Sequence, residues 1–429
     1  MASTLLSVKW LPVYKYIYML LMLLWVARTT PLLGFKYSEN PVLMPVYLII
    51  IAIYYVLFCQ KAWKPLLILL VIMTTWYIAI CIKYGGVVPL YLTLIYNIII
   101  IHVAFNLFTL KEYLSYFEKV MAHFGILALF VWLCCNLFPV FFPNLMHSLS
   151  VYSNHPPLET NSVFVGMGSQ LVMGIRRNIG FTWEPGRFGS FMILALFVNL
   201  VRKGFKTLSF RDNRNFYIFL LCVLSTLSTT CYAAISILFL LFILNRQSSN
   251  KLLILCCFLI CFSFLVQAPF MMDKIQTFIS VDTEINNMMY SFEQSGRDII
   301  TPQRFTGIFL DMQNFMHDFW LGYNTNDHSW VVTQLFNGYD VWLSNGLVQI
   351  FSKYGVFVGL FFYTQLFMSS KHLSEELDYR GKYIFMILFM AISISYDFWE
   401  NSVFLFFILL PFYEKYSSIN RSYCNIQCR

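Results

Sequence analysis

Apolar runs long enough to cross about 30 Å of hydrocarbon recur along this chain, most of them separated by short polar segments. Inside a bilayer a backbone must satisfy its own hydrogen bonds, so each run of this kind reads as a helix. Runs fall near 16–34, 42–59, 65–82, 89–108, 120–141, 186–201, 215–230, 231–244, 252–268, 342–368, 383–397 and 402–414. The expected architecture is an all-α, polytopic integral membrane protein of about 12 transmembrane helices, one membrane domain over 1–429. The chain is 59% hydrophobic and 12% charged, about half the charge of a soluble domain. No small-residue cleavage site follows the first run, so it reads as a retained helix and not a signal peptide.

Lysine and arginine supply the orientation. The segments 1–15, 60–64, 109–119, 202–214, 245–251, 369–382 and 415–429 total 80 residues and hold 19 Lys+Arg. The opposite side holds 9 over about 142 residues, so the first set is read as cytoplasmic, with both termini there. This depends on 215–244 being two crossings. Thirty residues are few for that, but "STLSTTCY" at their centre suits a tight hairpin, and a single helix would put the basic segments on opposite sides.

Two long exterior loops follow, 144–184 and 269–341. Loops of that length are functional or disordered, and these are rich in aromatics. The second contains "TPQRFTGIFLDMQNFMHDFWLG", in which Thr301 suits an N-cap, Pro302 suits N1 and Gly322 lies past the end. Phe305, Ile308, Phe309, Met312, Met316 and Phe319 share one face of a helix near 302–320, and Arg304, Asp311 and Asp318 share another. The helix lies on the outer membrane surface or packs over the transmembrane bundle; both remain open.

The net charge of +8 is spread over short loops without interleaved stacking aromatics, which excludes a nucleic-acid partner. Nine of the eleven cysteines lie in apolar runs and behave as small hydrophobes. Cys424 and Cys428 form an isolated C-x3-C. There is no dinucleotide or P-loop glycine motif and no Cys/His cluster, so no cofactor and no metal ligand set are expected; Asp282 and Glu284 form the one tight acidic pair in the long loops.

Arg176, Arg177 and Arg187 lie on the exterior side, against the positive-inside trend, and with Arg304 they supply four of its nine cations. A guanidinium matches phosphate oxygens bidentately and keeps its charge when desolvated. Arg304 is placed in a first helical turn, where free N–H groups also favour an anion. An anion site is one reading; pairing with Glu184 or contact with lipid headgroups is the other. Glu184, at the N-cap before Pro185, caps the helix, pairs with Arg187 or takes part in chemistry. Candidate bases are His328, Asp340 and Asp311. Tyr323, Trp330, Tyr339 and Trp342 could stack on sugars or belong to an interfacial belt. Lys353, inside a span, faces a donor phosphate or a structural partner.

The stretch "RRNIGFTWEPGRFG", with Arg177, Gly180 and Pro185, resembles the first signature of the O-antigen polymerase and O-antigen ligase superfamily, and its "EPG" is common in the polymerase branch. "LSTLSTTCYAA", "RFTGIFLDMQNFMHDFWLGYNTN" and "WLSNGLVQIFSKYGVFVGLFF", with Asn345, Gly355 and Gly359, are similar to the segments that follow it there. The likeness covers roughly 160–368. The chain departs from the pattern where Ser344-Asn345 stands in place of His-Asn, which favours polymerase over ligase and leaves His328 or Asp340 as base. The resemblance implies an architecture similar to the membrane-embedded glycosyltransferase C-type. It also implies a metal-independent glycosyltransferase in a bacterial inner membrane, making O-antigen, capsular or exopolysaccharide at the periplasmic face. The donor would be a glycan on undecaprenyl diphosphate, with a flippase and a chain-length regulator as partners. Arg177 and Arg304 would hold the leaving diphosphate, with Arg176 and Arg187 in support. An O-antigen ligase acting on lipid A core, or a lipid-linked oligosaccharide flippase, are the alternatives.

Overall fold

The computed structural model describes residues 10–26, 43–59, 63–85, 92–149, 161–162, 166–172, 174–182, 184–205, 209–245, 299–300, 302, 304–323, 331, 340–341, 343 and 345–427. The protein is mostly helical. The first helices are α1 (Leu11–Val26), α2 (Leu43–Phe58), α3 (Trp63–Tyr84), α4 (Leu92–Leu107), α5 (Leu110–Leu137) and α6 (Phe141–Leu149). After a small sheet come α7 (Pro185–Arg202), α8 (Arg214–Ser225) and α9 (Thr229–Asn245). The last four are α10 (Arg304–His317), α11 (Gln349–Glu376), α12 (Ile384–Ser393) and α13 (Ser402–Gln427). Among the described residues α3, α5 and α11 are long and apolar enough to cross a membrane, and several shorter apolar helices accompany them. The run near 252–268 lies outside the described residues.

Burial shows which surroundings the helices suit. From Phe188 to Val201, α7 is buried all round, as is α13 from Val403 to Leu410; a helix apolar on every face belongs at the centre of a bundle. Around them, α3 and α5 turn Val71, Ile82, Phe130 and Leu133 outward, an apolar exterior suited to lipid. Aromatic stacking joins the core: the Tyr113 ring lies 3.6 Å from that of Phe406, which α13 also stacks on Phe105 of α4.

Residues 214–245 form two antiparallel helices beside α7. Their turn, Thr226–Ser228, lies at the Gly186 end of α7, where Cys231 Sγ donates to the Gly186 carbonyl. Asn213 and Asn199 exchange hydrogen bonds at the other end. Asn245 is tied there too, to the backbone of Arg380, beside the Tyr379 ring that contacts Phe197 of α7. Arg202, Lys203, Arg211 and Arg214 are therefore gathered with Arg380 and Lys382 at one end of the bundle, and Glu184 marks the other.

At the Glu184 end, β1 (Asn161–Ser162), β2 (Gly166–Val172) and β3 (Ile175–Gly180) form an antiparallel sheet in that order, which helix-only expectations had not included. β4 (Ile299–Ile300) pairs in parallel with β5 (Asp340–Val341), joining the segment just before α10 to the end of the second long loop. α10 packs on α11 with its amphipathicity inverted. Thr306, Asp311 and Asn314 are buried, whereas Phe309, Met312 and Met316 are exposed. One face of this helix packs on the bundle, and the other exposes apolar side chains.

Candidate functional site

β3 enters the site first. Arg177, on this strand, is half-buried, and its Nε and Nη2 donate to the carbonyls of Thr226 and Leu227 at 2.9 and 3.2 Å. Those carbonyls stand at the C-terminal end of α8, the negative end of its dipole, which suits a cation. Asn178, next along β3, ties itself to Ser225 in the same turn. The serine- and threonine-rich hairpin is therefore the socket that aims Arg177. Burial lowers the basicity of the guanidinium, and neighbouring Arg304 adds to this, while Glu184 opposes it.

Glu184 occupies the N-cap of α7 with Pro185 behind it, but its side chain makes no capping bond. Its Oε2 instead accepts from Arg304 Nη2 at 2.7 Å, on the first residue of α10. Arg304 also donates to the Tyr396 hydroxyl at 3.3 Å and lies 4.8 Å from that ring. Arg304 thus pairs with Glu184 and is covered by Tyr396, while Arg177, from the other long loop, lies within electrostatic reach of both charges.

Beyond Tyr396 the protein is polar and partly enclosed. α12 has ten residues, about 15 Å of rise, half the thickness of a hydrocarbon core. The connection 394–401 therefore lies within the protein, with Phe398 and Trp399 fully buried. The Gly346 carbonyl accepts from Trp399 Nε1, and the Gly346 N–H donates to the Ser393 carbonyl. Lys353 reaches down from α11 to Asp397 Oδ2 at 3.2 Å and Glu400 Oε1 at 3.4 Å. Tyr354 donates to the same Glu400 oxygen at 2.7 Å, and the Trp399 N–H holds Asp397 Oδ1 at 3.0 Å.

Lys353 is aimed by a break in α11. Gly355 leaves helical geometry, the Tyr323 N–H donates to the Ser352 carbonyl, and the Val356 N–H donates to the Phe319 carbonyl. The turn after α10 thereby satisfies backbone groups that the break releases. Asp311 of α10 lies on the same break: its carboxylate accepts from Asn345 Nδ2 at 2.5 Å and Ser352 Oγ at 2.9 Å. Burial pushes the Asp311 carboxyl up to about 7, against those two hydrogen bonds and Lys353.

Of the residues singled out from the sequence, Arg177, Glu184 and Arg304 come together. Asn345 and Lys353 join the adjoining network, Asn345 as partner of Asp311 and Lys353 as an ion-pair partner of two carboxylates. Arg176 is turned from Arg177 by strand alternation toward Cys135 of α5, its main chain tied to Trp132 and Asn136. Arg187 is half-buried in the first turn of α7. Tyr323 is 2% exposed, so its ring belongs to the packing at the α11 break and has no free face for a sugar. Asp340 lies in β5, and of its side chain nothing is described; His328, Trp330, Tyr339, Asp282 and Glu284 lie outside the described residues.

Sequence reading passed over Tyr396, Asp397 and Glu400. The signal was there: "SYDFWENS" places two acids at a connection between two apolar runs, where a short turn needs none. No protein-family model and no curated protein matches this chain.

Proposed function

We propose that the chain is a polymerase of lipid-linked oligosaccharide repeat units, with the Glu184 end of the bundle facing the periplasm and the basic end facing the cytoplasm. One observation carries this reading: Arg304 pairs with the Glu184 carboxylate at one end of an apolar bundle, and Arg177, from the other long loop, lies near enough to both to feel their charges. Two fixed guanidiniums near one exchangeable carboxylate suit a diphosphate, which would displace Glu184 from Arg304.

In this mechanism a glycan on undecaprenyl diphosphate enters from the outer leaflet. A hydroxyl of a second lipid-linked repeat attacks its anomeric carbon, and the C–O bond to the diphosphate breaks with its electron pair leaving on the phosphate. The leaving group is already activated, so the acceleration comes from holding its developing charge. Loss of such a preorganised contact lowers rates on the order of 100-fold or more. The apolar face of α10, with Phe309, Met312 and Met316 exposed, suits a helix beside the lipid chains that carry the substrate.

The test uses purified full-length protein, EDTA and undecaprenyl-diphosphate-linked repeat units extracted from source cells that lack this chain. A ladder of longer glycans that survives EDTA and disappears in Arg177→Ala and Arg304→Ala supports the polymerase. A ladder lost to EDTA overturns metal independence, and no ladder at all redirects attention to a flippase, tested by flux.

A further inference from the structure

Resting on the polymerase reading, we propose that Asp397 accepts the proton of the attacking sugar hydroxyl, and that Lys353 and Glu400 are positioning residues that hold it for that step. The argument starts from place. Asp397 follows Tyr396, whose hydroxyl and ring contact Arg304, so the carboxylate lies next along the chain from the group that covers the diphosphate site. An attacking hydroxyl and a departing phosphate occupy different sides of one anomeric carbon, so their protein partners must be neighbours without coinciding.

Access separates Asp397 from its rival. Its side chain is 17% exposed, and so can meet a substrate, whereas Asp311 is fully buried and already accepts from Asn345 and Ser352. Glu400 has the same exposure, but its Oε1 serves both the Tyr354 hydroxyl and Lys353. The Trp399 N–H donates to Asp397 Oδ1 at 3.0 Å, and Lys353 stands 3.2 Å from Oδ2, which fixes the plane of this part-exposed carboxylate.

Charge adds a second argument. The groups facing Asp397 are Lys353 from α11, Glu400 from its own connection, Asp311 from α10 and Tyr323 from the turn after α10. One ammonium thus stands among three carboxyl groups, an arrangement that can take up one proton with little electrostatic cost. In the step itself the acceptor O–H bond breaks, its proton passes to Asp397, and the oxygen bonds to the anomeric carbon as the C–O bond to diphosphate breaks. The protonated carboxyl then returns its proton to solvent.

Full-length protein in nanodiscs and the same extracted lipid-linked repeats provide the test, with rates measured from pH 5 to 9 and binding of undecaprenyl diphosphate measured separately. Asp397→Asn should slow polymerisation on the order of 100-fold or more, with binding of undecaprenyl diphosphate unchanged within about threefold. Asp397→Glu should retain activity and move the acidic limb of the pH profile, and Lys353→Gln should move that limb upward. If Asp397→Asn proves unstable on heating, formate restoring the rate of Asp397→Ala decides in favour, and no restoration decides against. Asp397→Asn within tenfold of the wild type overturns the assignment, as does loss of undecaprenyl diphosphate binding in step with rate. If Arg304→Ala is inactive while Asp397→Asn works, only this assignment falls; no ladder from the wild type overturns the polymerase reading with it.

Discussion

Gly322 and Gly355, both at φ 77°, seat the turn after α10 against the break in α11. A Cβ on Gly355 would stand 2.1 Å from the Trp320 carbonyl oxygen, and one on Gly322 would stand 2.4 Å from that of Lys353. These obstacles are backbone, which cannot swing aside. Lys353 and Asp311 are both placed by this junction.

Gly355→Ala and Gly322→Ala should therefore each destabilise the protein by more than the roughly 1–2 kcal/mol of left-handed strain alone. Gly85 has φ 69° with nothing within 4 Å, so Gly85→Ala should show the strain without the clash. Thermal unfolding of the three variants in one detergent checks the order; equal losses would mean that the junction yields.

Asp311 should make stability depend on pH. Its carboxyl titrates near 7 when folded and near 3.9 when unfolded, so between these values the folded state holds the extra proton. Stability is then greatest at the acid end and falls as pH rises from about 4 to about 7, by at most about 4 kcal/mol from this group. Asp311→Asn, which keeps the shape without the charge, should flatten that fall in denaturation measured at several pH values.

Arg304→Lys should lose most of the activity lost in Arg304→Ala, because an ammonium cannot make the paired contacts of a planar fork. Glu184→Gln should cost less than either, since Glu184 orients Arg304 only until substrate arrives. Initial rates on extracted lipid-linked repeats rank the three. Glu184→Gln as the most damaging change would give the carboxylate a direct part in the chemistry.

At the opposite end Glu118 is nearly buried and bonded by Arg202, Asn199 and Asn215, joining α5, α7 and α8. Arg202→Ala should cost about 1–3 kcal/mol by removing the cation from that carboxylate while Asn199 and Asn215 still bond it, and Glu118→Gln combined with it should recover part of the loss. Unfolding midpoints of the single and double variants give the comparison.

Several parts of the site were legible as local patterns. Pro185 and Glu184 stand where a helix start requires them, because N1 tolerates a residue without an N–H. The polar centre of 215–244 announced the turn that now holds Arg177. The helix near 302–320 was legible as well, though it begins at Arg304 and turns its acids inward. Periodicity reports which residues share a face; it does not report whether that face meets water, lipid or protein.

The membrane character of this chain was determined by the sequence alone, because apolar run length against bilayer thickness is a one-dimensional comparison. The start of α7 at Pro185 and the hairpin turn were too, each being a rule about neighbours in sequence. Tertiary structure alone decided that Glu184 meets Arg304 instead of Arg187, and that Lys353 meets Asp397 and Glu400. These pairs are separated by 120, 44 and 47 positions. A buried charge takes whichever opposite charge packing brings within reach, and that partner is set by how whole helices stack.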